Sequence, residues 1–127
     1  MKSTDTAIRI AVIDDDVSIR EALTSLLQSY GYDILAFASA NDFMEMGARD
    51  AFACLLIDMY MPGMTGLELL GRLNAMNTAS RAILMSSEGG SDLKLAALRL
   101  GAHDFVEKSL GFDKLMEAVD QVVSHAP

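Results

Sequence analysis

Five short β-prone apolar runs alternate with five stretches of helical periodicity along the chain, and this alternation constrains the fold more than any other feature. "IRIAVI" (8–13), "YDILAF" (32–37), "FACLLI" (52–57), "AILM" (82–85) and "DFVE" (104–107) are the runs. After the first, Ile19, Leu23, Leu26, Leu27 and Tyr30 keep helical spacing and Gly31 supplies a stop, predicting a helix over 17–30. Ser39 can cap a short helix reaching about Ala48. Leu67, Leu70, Leu73 and Met76 mark a third helix. Ser91 can cap a fourth, whose inner face would carry Leu95, Leu98 and Ala102, and Phe112, Leu115, Met116, Val119 and Val123 form the stripe of a fifth. Strands joined by helical crossovers lie parallel, and such crossovers are right-handed, so the expected fold is α/β: a doubly wound five-stranded parallel sheet with helices on both faces. Runs as uniformly apolar as 53–57 fit burial on both sides.

At 127 residues the chain is expected to form one domain, 1–127, with a core that needs no disulfide. Its lone cysteine, Cys54, lies in an apolar run and reads as core packing, and the nine methionines read as core filler. No apolar stretch reaches the roughly 18 residues of a membrane span, and "MKSTDTAIRI" lacks the features of a secretory signal. A soluble, cytoplasmic protein is expected. The net charge of −8 disfavours contact with a phosphate backbone, so no direct nucleic-acid binding is expected, and it suits binding of a cation.

In doubly wound sheets ligands bind beyond the carboxyl ends of the strands. Strand one ends in Asp14, Asp15 and Asp16, strand three in Asp58, strand four in Ser86 and Ser87, and strand five in Glu107 and Lys108. The loop after strand two offers only Ala38 and Ser39, as an edge strand would. If strands one and three are neighbours, Asp14, Asp15 and Asp58 converge. Two like charges about 4 Å apart repel by roughly 4 kcal/mol at an effective dielectric of 20, so such a cluster needs protons or a cation. An all-oxygen donor set with no histidine or cysteine points to Mg²⁺. Lys108 and Ser86 could then serve a phosphoryl group as fixed positive charge and hydroxyl donor, with a carboxylate beside the metal as nucleophile. Each residue also has an ordinary reading: Asp16 as the N-cap of helix one, Asp14 or Asp15 as caps, Lys108 as a solvated charge, Ser86 as a strand-end residue. His103 and His125 lack ligand-spaced partners and read as surface residues, and Gly89, Gly90 and Ser91 fall short of a phosphate-loop motif.

"AVIDDD" (11–16), "LLIDMYMPGMTG" (55–66), "ILMSSE" (83–88) and "GAHDFVEK" (101–108), in this order and spacing, resemble the receiver domain of two-component response regulators over nearly the whole chain. The resemblance implies a flavodoxin-like strand order 2-1-3-4-5. It implies phosphorylation of Asp58 by a sensor histidine kinase or phosphotransfer protein, and Mg²⁺ held by Asp15, Asp58 and the Tyr60 carbonyl, with Asp14 acting through water. Lys108 would pair with Asp58 and then with the phosphoryl group. Ser86 would move toward that group, making room for Phe105 to turn inward and switching the surface of helix four, strand five and helix five, through which a homodimer could form. Tyr60 and Glu88 match positions that tune phosphoryl lifetime in the family. Pro62 and Gly63 would turn the chain after strand three so that the Tyr60 carbonyl faces the metal. The family usually places a proline in a cis bond after the lysine. Here Ser109 follows Lys108, so a trans bond and a shifted loop are expected.

Two other functions use some of the same residues. "DDDVSI", with Ser86 and Lys108, resembles part of a haloacid-dehalogenase-type phosphatase using Asp14, though it leaves Asp58 without a role and lacks a later acidic pair. A receiver-shaped interaction scaffold that is never phosphorylated would not need the full acidic set, and an acidic first loop argues against a flavin site. A start at Met1 and the tail "VVSHAP" favour a stand-alone regulator over a receiver excised from a longer protein.

Overall fold

In a computed structural model, residues 8–46 and 51–124 are described. The elements are β1 (Arg9–Ile13), α1 (Val17–Ser29), β2 (Asp33–Phe37), α2 (Ala40–Met46), β3 (Cys54–Asp58), α3 (Gly66–Ala75), β4 (Ala82–Ser86), α4 (Ser91–Arg99), β5 (Asp104–Glu107) and α5 (Phe112–Ser124). All strand pairs are parallel, in the order β2-β1-β3-β4-β5. The expected sheet and order are therefore present, with β2 at an edge. The end of the second helix near Ala48, and His125, lie outside the described residues.

Strand periodicity divides the core in two. Ala11, Ile13, Leu55, Ile57 and Leu84 point to one face, packing with Phe43 of α2, Leu69, Leu70 and Leu73 of α3, and Ala97 of α4. Ile10, Val12, Leu56, Ile83 and Met85 point to the other, against Leu23 and Leu27 of α1 and Leu115, Val119 and Val122 of α5. Cys54 joins the second core, where burial pushes its thiol up to about 12, as expected of a packing residue. Met59, Met61 and Met85 are buried.

Caps start two helices where the sequence places them. The Asp16 carboxylate accepts from the Ser18 and Ile19 N–H groups, and the Ser39 hydroxyl accepts from the Asp42 N–H. The fourth helix departs from expectation in two ways. Its N-cap is Gly90, at φ 133° and ψ 143°, a conformation open to glycine and not to serine, and Ser91 is the first helical residue. Its inner face is Leu93, Ala97 and Leu100, while Leu95 and Leu98 are 48% and 38% exposed. Leucines occur on both sides of this helix, so spacing alone does not decide which set faces the sheet.

Leu70→Ala should cost about 2–5 kcal/mol in urea unfolding, whereas Leu95→Ala should stay within about 0.5 kcal/mol of wild type. Equal losses would place Leu95 in the core.

Candidate functional site

The site is built at the carboxyl ends of β1, β3, β4 and β5. Asp14 follows directly on β1 and Asp58 closes β3, and the β1–β3 pairing places them side by side. One carboxylate oxygen from each of Asp14, Asp15 and Asp58 lies within 4.8 Å of the others. Asp14 and Asp58 are buried and Asp15 is exposed. From β5, Lys108 Nζ reaches 2.8 Å from Asp58 Oδ1 and 3.0 Å from Asp14 Oδ2. The Lys108–Ser109 bond is trans, and residues 108–110 form a 3-10 turn leading through Gly111 into α5. The absence of a proline after the lysine thus does not keep the ammonium from the carboxylates.

Charge and burial compete here. Burial pushes the Asp58 carboxyl up to about 6 against the hydrogen bond from Lys108, and the charges of Asp14 and Asp15 add to the rise. Burial disfavours the charged Lys108, but its bonds to Asp58 and Asp14 outweigh this and its pKa is raised. Three carboxylates against one ammonium leave two negative charges, the complement of one divalent cation. Asp14 Oδ2 is buried and lies 3.0 Å from Lys108, an ion pair without a well-directed hydrogen bond. An all-oxygen set carrying this excess of negative charge fits a hard cation.

The loops are held from several directions. Asp14 Oδ1 accepts from the Asp16 N–H at 2.9 Å, and the Asp14 N–H donates to the Phe37 carbonyl. After β3 the Met59 N–H donates to the Met85 carbonyl at 2.7 Å, and the Gly66 N–H closes the loop on the Met59 carbonyl at 2.9 Å. Between these pins the chain turns at Gly63, φ 79°, as the Pro62-Gly63 pair predicts, and carries Tyr60 with its side chain exposed. Thr65 and Glu68 form a capping box that starts α3. Ser86 is buried, paired across the sheet with Glu107, and its hydroxyl accepts from the Glu88 N–H at 3.0 Å. Phe105 is buried in the core on the α3–α4 face.

Sequence reasoning gave no role at the site to three contributors. A Cβ on Gly66 would stand 2.3 Å from the Asp58 carbonyl oxygen, so α3 can begin against the strand end only with a bare backbone there. The Glu107 carboxylate lies over Gly89, where a Cβ would meet it at 1.9 Å, and a carboxylate so placed makes the Gly89-Gly90-Ser91 turn hostile to phosphate. Arg20 Nη1 donates to the Asp14 carbonyl at 2.8 Å. Such close approaches leave no signature in the sequence, unlike the capping box, which is written as Thr65-x-x-Glu68. His103, read as a surface residue, is half-buried with Nε2 3.3 Å from Gln121 Oε1.

A doubly wound parallel sheet in the order 2-1-3-4-5, with an acidic cluster and a lysine at its carboxyl ends, defines a class: flavodoxin-like domains with a charged pocket beyond the strands. The family is shown by comparison, since the model for the response regulator receiver domain matches residues 10–120, and the chain belongs to that family. It is 35% identical over 117 residues to the transcriptional regulatory protein FixJ of Bradyrhizobium diazoefficiens, covering 92% of this chain and 57% of that one. It is 33% identical over 124 residues to the response regulator protein TodT of Pseudomonas putida, covering 98% and 55%. The chain thus spans about half the length of these curated relatives. Among solved structures, the crystal structure of FixJ-N superposes with a TM-score of 0.83 at 27% identity, covering 96% of this chain and 98% of that one.

Two outcomes follow from the geometry. Gly66→Ala should lower stability by about 3 kcal/mol in urea unfolding, because the clash is with backbone that cannot turn aside; a neutral effect would contradict the close approach. Asp58 keeps its proton in the folded protein over a range, about pH 4 to 6, where the unfolded chain has lost it. Its contribution is therefore full below about pH 4 and is lost as pH rises through about 6. Without divalent cations, wild type should lose on the order of 3 kcal/mol relative to Asp58→Asn between these limits. A difference independent of pH would contradict the raised pKa.

Proposed function

We propose that this chain is a receiver that accepts a phosphoryl group on Asp58 from a sensor histidine kinase or a phosphotransfer protein, in a Mg²⁺-dependent reaction. The observation that carries the reading is the ion pair from Lys108 to Asp58 Oδ1 at 2.8 Å, inside a pocket whose remaining negative charge matches one divalent cation. Asp14, Asp15, Asp58 and the Tyr60 carbonyl would hold Mg²⁺, which when bound neutralises charge on the phosphoryl oxygens. Lys108 holds Oδ1 and leaves Oδ2 to attack phosphorus. As the new oxygen–phosphorus bond forms, the bond from phosphorus to the donor's nitrogen breaks and the donor imidazole departs. Lys108 then pairs with the phosphoryl oxygens, and the Ser86 hydroxyl, whose Oγ accepts from the Glu88 N–H, turns to donate its O–H to one of them. Movement of Ser86 would be felt at β5, its sheet neighbour, and at Phe105.

Such a protein is a phosphoacceptor that promotes its own phosphorylation and dephosphorylation, not an enzyme acting on other molecules. The reading comprises a single receiver domain over 1–127, a cytoplasmic location, and signalling through the face of α4, β5 and α5, with the exposed Leu95 and Leu98 of α4 available to a second copy. Among the described residues no helix is long and apolar enough to cross a membrane. A phosphatase using Asp14 is disfavoured because Asp14 is fully buried, with Oδ1 accepting from the Asp16 N–H and Oδ2 3.0 Å from Lys108, which leaves neither oxygen placed to act as nucleophile.

Incubation with acetyl phosphate should add one phosphoryl mass to the intact protein only when Mg²⁺ is present, and Asp58→Asn should remove the adduct. An adduct that persists in the Asn variant, or forms equally without Mg²⁺, would sink the assignment.

A further inference from the structure

We infer that Arg20 is a positioning residue for the cation pocket, acting through the backbone of the β1–α1 loop. The inference rests on the cation site of the proposed function. Arg20 stands on the second turn of α1, six residues beyond the carbonyl it grips, and its Nη1 donates to the Asp14 oxygen at 2.8 Å. That oxygen belongs to the peptide leading into Asp15. Asp15 is the exposed member of the cluster, so the plane of this peptide sets where its carboxylate starts from. Around Arg20 the loop closes on itself: the Arg20 N–H donates to the Asp16 carbonyl, the Asp16 N–H to Asp14 Oδ1, and the Asp16 carboxylate caps α1. The guanidinium thus completes a ring of bonds that fixes the backbone while leaving Asp14 Oδ2 and the Asp15 carboxylate unclaimed by it.

Arg20 also brings a positive charge near the pocket, and this makes the sign of its effect diagnostic. If only its charge mattered, removing it would tighten binding of a divalent cation. If its bond to the Asp14 carbonyl matters more, removing it loosens the loop and weakens binding. Residues that orient a metal's ligands are typically worth 10–100-fold in affinity.

The test is calorimetric titration of the full chain with Mg²⁺ alone, with no phosphodonor, on wild type, Arg20→Gln and Arg20→Lys, each checked for folding by circular dichroism and melting temperature. Arg20→Gln should bind Mg²⁺ about tenfold more weakly. Arg20→Lys, which keeps the charge and one donor, should recover most of the loss and serves as the reporter if the Gln variant does not fold. A lowered melting temperature with unchanged Mg²⁺ affinity would reduce Arg20 to a structural role, and tighter binding in Arg20→Gln would leave only its charge; either overturns the inference. Wild type that fails to bind Mg²⁺ would instead overturn the cation site on which it rests.

Discussion

One ammonium between two buried carboxylates organises this end of the molecule. Lys108 comes from the end of β5, Asp14 from β1 and Asp58 from β3, so the contact spans four of the five strands, crossing β4 on the way. It forms only if the sheet order and register are right. Yet one positive charge does not balance three carboxylates, and the charges of Asp14 and Asp15 add to the rise that burial imposes on the Asp58 pKa. The fold therefore holds its own electrostatic deficit in place, which is what a site for a cation and a phosphoryl group requires.

The fold was legible because each level of the sequence agrees with the next. Uniformly apolar runs such as 54–57 mark strands buried on both faces, the stripes between the runs mark helices, and parallel pairing follows from the crossovers. Strand order did not follow from the residues; it came with the likeness to receiver domains. The acidic residues, the serine and the lysine were legible because each stands where an apolar run stops. Their individual roles are a matter of chemistry at the site and remain part of the proposal.

What was illegible has two physical causes. In α4 leucine occupies both faces, at Leu93 and Leu100 inward and at Leu95 and Leu98 outward, so helical spacing admits two phases and only packing against the sheet selects one. Gly66 and Arg20 act on backbone carbonyls, of Asp58 and Asp14 respectively. A carbonyl is present at every residue, so no pattern of side chains marks the one that is used. The Ser91 cap failed for a related reason, since the position demanded a dihedral angle instead of a hydroxyl.

The loop from Met59 to Gly66 carries a consequence for how receivers of this kind can diverge. Its two ends are tied to each other, one of them also to β4, and neither end has slack: Met59 is buried and Gly66 admits no side chain. Its crest is different, because the Tyr60 and Pro62 side chains face water. Side chains can therefore vary at the crest without disturbing the packing of Met59 or the seat of Gly66 against the strand end. Tight packing and freedom to vary are thus found on separate stretches of one eight-residue segment.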